Sequence, residues 1–274
     1  MPTALCRAEL VALQGKDALA FAHAQFTSDV ASLAPGRWQW SAWLDAHGRV
    51  RAVFVVLRVD DARLLAWQPL GDAAAVRDAL MRYVFRSAVR IDVVDGWALH
   101  RLDNEAPAAG RVVDLDGGHA FALPGAEPRV AWLAPATSPA NDAALAAWRR
   151  GDHAAHLPLL ATELAGEFVP QALELERIDA IRFDKGCYPG QEIAARLHFR
   201  GGNKRHLQVY RIERTGAMPA PGANVVVGDA TVGRILYSVA DEHDAGGSAL
   251  AVVVDEARGA MARTVDGHSL SPCA

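Results

Sequence analysis

The sequence predicts an α+β fold in two parts, a mixed body followed by a small β-barrel. Helical and strand-like apolar periods alternate along roughly the first 200 residues, whereas only short strand patterns follow Gly201 and Gly202. A composition of 51% hydrophobic and 22% charged residues is that of a globular protein, and 274 residues can hold two domains. We therefore predict a body at residues 1–200 and a barrel at residues 203–274.

The first half of the body reads as strands interrupted by two helices. Residues 10–14 predict a strand, and a helix is expected from about Lys16 because it carries one apolar stripe, formed by Leu19, Ala22, Phe26 and Val30. The other elements predicted here are strands at 37–44, 50–59, 63–67, 88–94 and 96–102 and a helix at 72–85.

The second half of the chain is less regular before the barrel. A Gly-, Pro- and Ala-rich stretch carries weak strand signals at 111–115 and 119–123, and Ser138-Pro139 predicts the start of a helix ending near Arg150. A further helix is predicted at 171–181. Five short strands with tight turns then predict the barrel, at 207–212, 224–227, 230–239, 248–254 and 259–265.

The most informative segment sets a cysteine between two glycines, in the order Lys185-Gly186-Cys187-Tyr188-Pro189-Gly190-Gln191-Glu192. Pro189-Gly190 predicts a turn, so Cys187 is expected on an exposed loop. The neighbouring Lys185 would favour the thiolate, which is the reactive form of cysteine. A buried structural cysteine is the usual alternative, but the glycines and polar flanks favour exposure.

Cysteine usage and hydropathy restrict the class of protein. Cys6, Cys187 and Cys273 lie far apart, form no CxxC pair and cannot supply a four-thiolate cluster or zinc site, so no metal site is predicted. The sequence contains no apolar run of the roughly 20 residues that a membrane helix needs. Its first residues lack the pattern of a signal peptide. A cytoplasmic protein without membrane contact is expected.

The charge is unevenly distributed. A net charge of −4 argues against broad nucleic-acid binding. Between residues 182 and 211, however, seven basic residues face only Asp184 and Glu192, which gives a local net charge of +5. This segment predicts either a nearby anionic ligand or partner, or a solvated strand face without one.

Several motifs resemble the YgfZ family of folate-binding proteins, which are relatives of the aminomethyltransferase (T-protein) of the glycine cleavage system. The matching segments are residues 13–18, 25–30, 232–235 and 250–253, together with Phe168-Val169-Pro170-Gln171, the octapeptide from Lys185 to Glu192, Ala195-Arg196 and Arg200-Gly201. The resemblance runs almost end to end. It implies an aminomethyltransferase-like, three-part clover-leaf fold, in which two α+β subdomains hold folate and the barrel packs on them.

The resemblance also implies a function. Family members bind tetrahydrofolate and use the motif cysteine to support the synthesis or repair of iron–sulfur proteins, including tRNA-modifying enzymes. By this resemblance Cys187 and Lys185 take the functional positions, and the loop is supported by Gly186, Tyr188, Gly190, Gln191 and Glu192. The expected partners are folate and iron–sulfur client or assembly proteins, with no direct nucleic-acid contact.

The folate contact is expected at Trp148, which matches a family tryptophan and whose indole face suits a flat pterin. Core packing of Trp148 is the alternative. A second family tryptophan falls at about Ala8 and is therefore missing. Trp38, Trp40 and Trp43 are the candidate substitutes, although a core role is expected for each.

Glycine-cleavage chemistry is not expected. The aminomethyltransferases carry an aspartate pair that here falls on Ala52-Val53, and neither side chain can accept a proton. An accessory factor is therefore favoured. Two alternatives stay open, namely a folate-dependent one-carbon transferase that uses Cys187, and an interaction protein whose cysteine serves in packing.

Overall fold

The computed structural model describes residues 2–103, 105–125, 129–213, 217–241 and 246–273. The first of two antiparallel sheets has the strand order β3 (Arg37–Leu44), β4 (Val50–Arg58), β5 (Arg63–Gln68), β2 (Glu9–Gln14) and β6 (Arg90–Val93). Helices α1 (Ala18–Gln25) and α2 (Ala73–Met81) cover one face of this sheet. The nearly unbroken apolar run of β4 is buried on both faces, as expected of a central strand.

The second sheet forms the other half of the body. Its strand order is β1 (Thr3–Arg7), β7 (Trp97–Leu102), β10 (Arg129–Pro135), β9 (Gly118–Leu123) and β8 (Val112–Leu115). Helix α3 (Asp142–Ala154) begins at Asn141, whose side chain accepts a hydrogen bond from the Ala144 N–H. The largest apolar cluster joins both sheets to the barrel, so the body and the barrel share a core.

A closed barrel ends the chain, and the exposed helix α4 (Gln191–Arg200) precedes it. The strand order of the barrel is β11 (Arg205–Glu213), β14 (Gly246–Val254), β13 (Ala230–Ala240), β12 (Asn224–Val227), β15 (Ala262–Thr264) and β16 (Ser269–Pro272). The predicted barrel is confirmed, with six strands instead of five. The predicted domain limits, 1–200 and 203–274, stay a prediction.

The helix predicted at 171–181 is wrong. This segment is a series of turns in which Glu174 and Asp179 have φ of +50° and +52°, a left-handed conformation that a right-handed helix does not contain. Helix α1 ends at Gln25 instead of continuing to Val30, because the Thr27 hydroxyl bonds across the fold to the Ala180 carbonyl, at 2.6 Å. Elements that the sequence did not predict are β1, β10, β16 and α4.

His153 lies where α3 meets the barrel. Its side chain is 3% exposed, its Nδ1 lies 2.7 Å from the Ser248 hydroxyl, and its ring centre lies 4.4 Å from that of Tyr237. Burial, reinforced by the positive charge of Arg149, lowers the pKa of His153 to about 4.

This shift predicts that acid weakens the fold. In the unfolded chain the pKa of His153 is about 6.5, whereas in the folded protein it is about 4. Between these pH values only the unfolded state binds the proton, so the stability of the fold decreases as the pH falls. We expect the free energy of unfolding to decrease by about 2 kcal/mol from about pH 7 to about pH 5. His153→Asn should remove this loss in urea unfolding, and His47→Asn, at an exposed histidine, should keep it. An unchanged pH dependence in His153→Asn would contradict the assignment.

Candidate functional site

Cys187 lies at the exposed tip of the loop that leads into α4, and its thiol is free. The loop follows the series of turns at 171–181, so its position depends on contacts with other parts of the chain. The exposed position of Cys187 agrees with the sequence-based expectation of a reactive cysteine. It argues against the alternative in which this cysteine serves in packing.

Lys185 anchors this loop to the end of α1. Its ammonium donates three hydrogen bonds, to the carbonyls of His23 (2.6 Å), Phe26 (2.6 Å) and Ser28 (2.9 Å). An ammonium has three hydrogens, so all of them are directed at carbonyls and none at a thiol. Carbonyls at a helix C-terminus attract a cation. Burial lowers the pKa of Lys185 to about 8, against the opposing charge of Asp29.

Thr27 provides a second attachment for the same segment. Its hydroxyl donates to the Ala180 carbonyl at 2.6 Å, and its carbonyl accepts from the Arg182 N–H at 2.9 Å. The buried Tyr188 hydroxyl in turn donates to the Arg182 carbonyl at 3.1 Å, and burial raises the Tyr188 pKa. Residues 26–28 therefore hold the chain both before and within the cysteine motif.

Gly190, at the end of the loop that follows Cys187, packs against the turn between β3 and β4. Its φ is +74°, and a Cβ atom there would lie 2.3 Å from the Asp45 carbonyl oxygen and 2.7 Å from the Gly48 Cα. Gly48 also has a positive φ, of +71°. Gly186, by contrast, has space for a Cβ at 3.3 Å from the nearest atom, which is His23 Nε2. The turn therefore requires glycine at 190 for both backbone and contact reasons.

The two polar residues after the turn begin α4. The Gln191 side-chain oxygen accepts a hydrogen bond from the Tyr188 N–H at 3.2 Å. Glu192 is exposed in the first turn of the helix, where a carboxylate is favourable beside the unpaired N–H groups.

A cavity of about 390 Å³ opens between the two sheets, bounded by β3, the 106–110 and 122–124 segments and the turn at 178–179. Trp38 and Trp40 line it from the same face of β3. Both indole N–H groups are buried and have no hydrogen-bond partner among the described residues. Among the described residues, the polar ones that border the cavity are Asp179 and Gln39, and the Gln39 side chain points to the opposite face of β3 from the two indoles.

Trp148, for which a folate contact stays a prediction, is buried away from this cavity. It is 2% exposed in α3, the Arg129 guanidinium lies over its ring at 4.7 Å, and it does not line the cavity of Trp38 and Trp40. At the position of the missing family tryptophan, Ala8 is 1% exposed. The substitutes at Trp38 and Trp40 therefore line a cavity, while Trp148 packs in the core.

The basic segment is partly neutralised within the fold. Arg182 makes two hydrogen bonds to the Asp184 carboxylate, at 3.1 and 3.0 Å. The Lys185 ammonium is bonded to three backbone carbonyls. The exposed Arg and Lys residues of this segment that follow the motif are Arg196, Arg200, Lys204, Arg205 and Arg211. The first four place positive charge on α4 and the start of β11, directly after the cysteine loop.

Metal ligation and membrane crossing both require features that the described ranges lack. No cluster of three or more His, Cys, Asp or Glu side chains there could hold a metal ion. Within the same ranges, no helix combines the length and apolar character that crossing a membrane requires.

Sequence reasoning missed several residues of this site. Thr27, Ser28 and Gln39 gave no signal of their own, although residues 25–30 and 168–171 belong to the segments that matched the family. Asp179 was hidden inside the wrongly predicted helix. An aspartate is among the few residues that adopt a left-handed conformation readily, and this was the available clue.

Comparison with known proteins places the chain in a family. No family model matches it. An uncharacterized protein of Haemophilus influenzae is 32% identical over 211 residues, which are 76% of this chain and 72% of that protein. The tRNA-modifying protein YgfZ of Vibrio vulnificus (strain CMCP6) is 30% identical over 259 residues, or 88% of this chain and 76% of that protein.

A solved structure extends the likeness to the fold. The glycine cleavage system aminomethyltransferase T of Bartonella henselae aligns with a TM-score of 0.66 and 14% identity, over 100% of this chain and 84% of that one. The predicted aminomethyltransferase-like fold, with its terminal barrel, is confirmed. By its sequence similarity over most of its length, the chain belongs to the YgfZ family.

Proposed function

We propose that this protein is a folate-binding accessory factor in tRNA modification, and that Cys187 is its contact with an iron–sulfur client or assembly protein. Its relatives are named tRNA-modifying proteins, and its fold is that of a folate-using enzyme. The observation that carries the proposal is an exposed thiol on a loop anchored to residues 26–28, which also contact the wall of an indole-lined cavity.

The cavity fits the pterin of tetrahydrofolate. Its volume of about 390 Å³ lies in the range of small-molecule sites, and Trp38 and Trp40 offer faces for stacking. The carboxylate of Asp179 can accept from the adjacent N–H and amino donors of an aminopyrimidinone edge. A bound reduced folate would supply an electron-rich pterin and a carrier of one-carbon units.

The exposed sulfur of Cys187 can reach a client. As a metal ligand, its sulfur would donate an electron pair to a client's iron and release its proton. As an exchange partner, its thiolate would bond to one sulfur of a client disulfide and release the other as a thiolate. Lys185 then serves to hold the loop, and Gly190 and Gln191 fix the turn that presents the sulfur.

The accessory role is preferred over a one-carbon transferase because of β4. Ala52 and Val53, which stand where the transferases carry aspartates, are 4% and 3% exposed and pack in the two apolar clusters. No base acts from this position. Release of formaldehyde from loaded folate, lost in Cys187→Ala, would instead support the transferase.

Folate binding can be measured by quenching of tryptophan fluorescence during a titration with tetrahydrofolate. We expect Trp38→Leu and Asp179→Asn each to weaken binding by about tenfold, since each loses roughly 1–1.5 kcal/mol of stacking or hydrogen bonding. Trp132→Phe is the control, because its indole is buried in a separate cluster and bonded to the Leu115 carbonyl.

Trp148→Phe distinguishes the two candidate sites. If the cavity holds the pterin, this variant binds tetrahydrofolate as the wild type does. Weak binding by Trp148→Phe, together with normal binding by Trp38→Leu, would move the site to α3 and contradict the assignment to the cavity.

A further inference from the structure

We propose that occupation of the Trp38–Trp40 cavity is coupled to the Cys187 loop through three positioning residues, Gln39, Ser28 and Lys185. The inference rests on the proposed function, because it makes the bound folate a regulator of the loop that presents the thiol.

The three residues form a continuous chain of hydrogen bonds. Gln39 borders the cavity between the two indoles of β3, and its side chain, on the opposite face of the strand, donates to the Ser28 hydroxyl at 2.7 Å. The carbonyl of the same Ser28 accepts from the Lys185 ammonium at 2.9 Å. One residue therefore connects the wall of the cavity to the anchor of the cysteine loop.

Ser28 has little freedom to relax independently. It is 1% exposed, its hydroxyl donates to the Ser41 hydroxyl at 2.8 Å, and its N–H also bonds to that oxygen at 3.3 Å. Ser41 is fully buried on β3, the strand that carries both indoles. A displacement of the Gln39 amide must therefore be transmitted to Ser28 or leave buried polar groups without partners.

The direction of the coupling follows from β3, the strand that Gln39 shares with both indoles. A ligand stacked on Trp38 and Trp40 holds this part of β3 in place, and with it the Gln39 side chain on the opposite face, so that Gln39 stays bonded to Ser28 and the carbonyl of Ser28 stays directed at Lys185. The loop then opens less often. By linkage, a loop that is held closed raises the affinity of the cavity for the ligand by the same factor.

Amide hydrogen exchange of the loop residues 185–191, measured with and without tetrahydrofolate, tests the coupling. In the wild type we expect the ligand to slow exchange by fivefold or more. Ser28→Ala removes only the hydroxyl and should reduce this effect to less than twofold, while the ligand still quenches tryptophan fluorescence. Ser32→Ala is the matched control, because its hydroxyl bonds locally to the Asp29 carbonyl on the surface. Full protection in Ser28→Ala, or none in a ligand-bound wild type, would overturn the coupling.

A ligand-free arm separates this inference from folate binding itself. Gln39→Met keeps the length of the side chain but cannot donate to Ser28, so we expect exchange of the loop to rise about threefold without any folate. In Lys185→Met the loop should already exchange faster, and adding Gln39→Met should change it no further. If tetrahydrofolate does not bind, the folate part of the proposed function is wrong. The coupling between the cavity wall and the loop is then tested by the ligand-free exchange of Gln39→Met. An unchanged loop in Gln39→Met would overturn it.

Discussion

Cys187→Ser is expected to abolish the protein's support of tRNA modification in cells while leaving the fold intact. Because the side chain is exposed and makes no packing contribution to a core, the free energy of unfolding should change by less than about 0.5 kcal/mol. The measurement is the level of tRNA modification and of iron–sulfur enzyme activity in cells that carry only the variant. The affinity for tetrahydrofolate should stay within about twofold, since the thiol does not line the cavity.

Cys273→Ser provides the matched control, because Cys273 is also an exposed free cysteine but lies just after the last barrel strand, away from the motif. It should behave as the wild type in every assay. Normal tRNA modification with Cys187→Ser would exclude the thiol from the function and leave the loop with a binding role at most. Loss in both variants would point to general thiol damage instead of a site.

The exposure of Cys187 could be predicted because its causes are local. Two flanking glycines and a Pro-Gly turn lie within four residues of the sulfur. The role of Lys185 could not be predicted, since its three acceptors lie 157–162 positions earlier in the chain. Proximity in sequence suggested that the lysine tunes the thiol, whereas the distant carbonyls make it an anchor.

Long-range contacts also explain the errors around the motif. The 171–181 segment contains helix-forming residues, but its conformation is set by contacts outside the segment. One of these joins Glu174 to the barrel, where its carboxylate accepts a hydrogen bond from the Leu207 N–H at 3.1 Å. Helix α4 buries only Ala194 among its ten residues, so it offered almost no apolar stripe to detect. For the cavity, Trp38 and Trp40 are two positions apart in the predicted strand 37–44, which puts them on one face. The cavity itself depends on segments from the second sheet that no local pattern reveals.

Gly190→Ala is expected to displace the cysteine loop from the β3–β4 turn. The alanine must adopt a φ of +74°, which costs about 1–2 kcal/mol, and its Cβ would overlap the Asp45 carbonyl at 2.3 Å, which adds about 1–3 kcal/mol. The atoms that this Cβ would meet, the Asp45 carbonyl oxygen and the Gly48 Cα, belong to the backbone, so no flexible side chain can move aside. We expect loop exchange to accelerate by at least tenfold and tRNA modification to fall as in Cys187→Ser, although the thiol is still present.

The control for Gly190→Ala is Gly228→Ala, in the β12–β13 turn. Gly228 has a φ of +60°, and a Cβ atom there would meet no described atom within 4 Å, so this variant carries the backbone cost without the overlap. It should lose about 1–2 kcal/mol of stability and keep normal loop exchange and normal function. If both variants behaved alike, backbone strain alone would account for the effect and the seat on Asp45 and Gly48 would not matter. If only Gly190→Ala loses function with its thiol intact, the activity depends on where the loop holds the sulfur, and a reactive cysteine alone is insufficient.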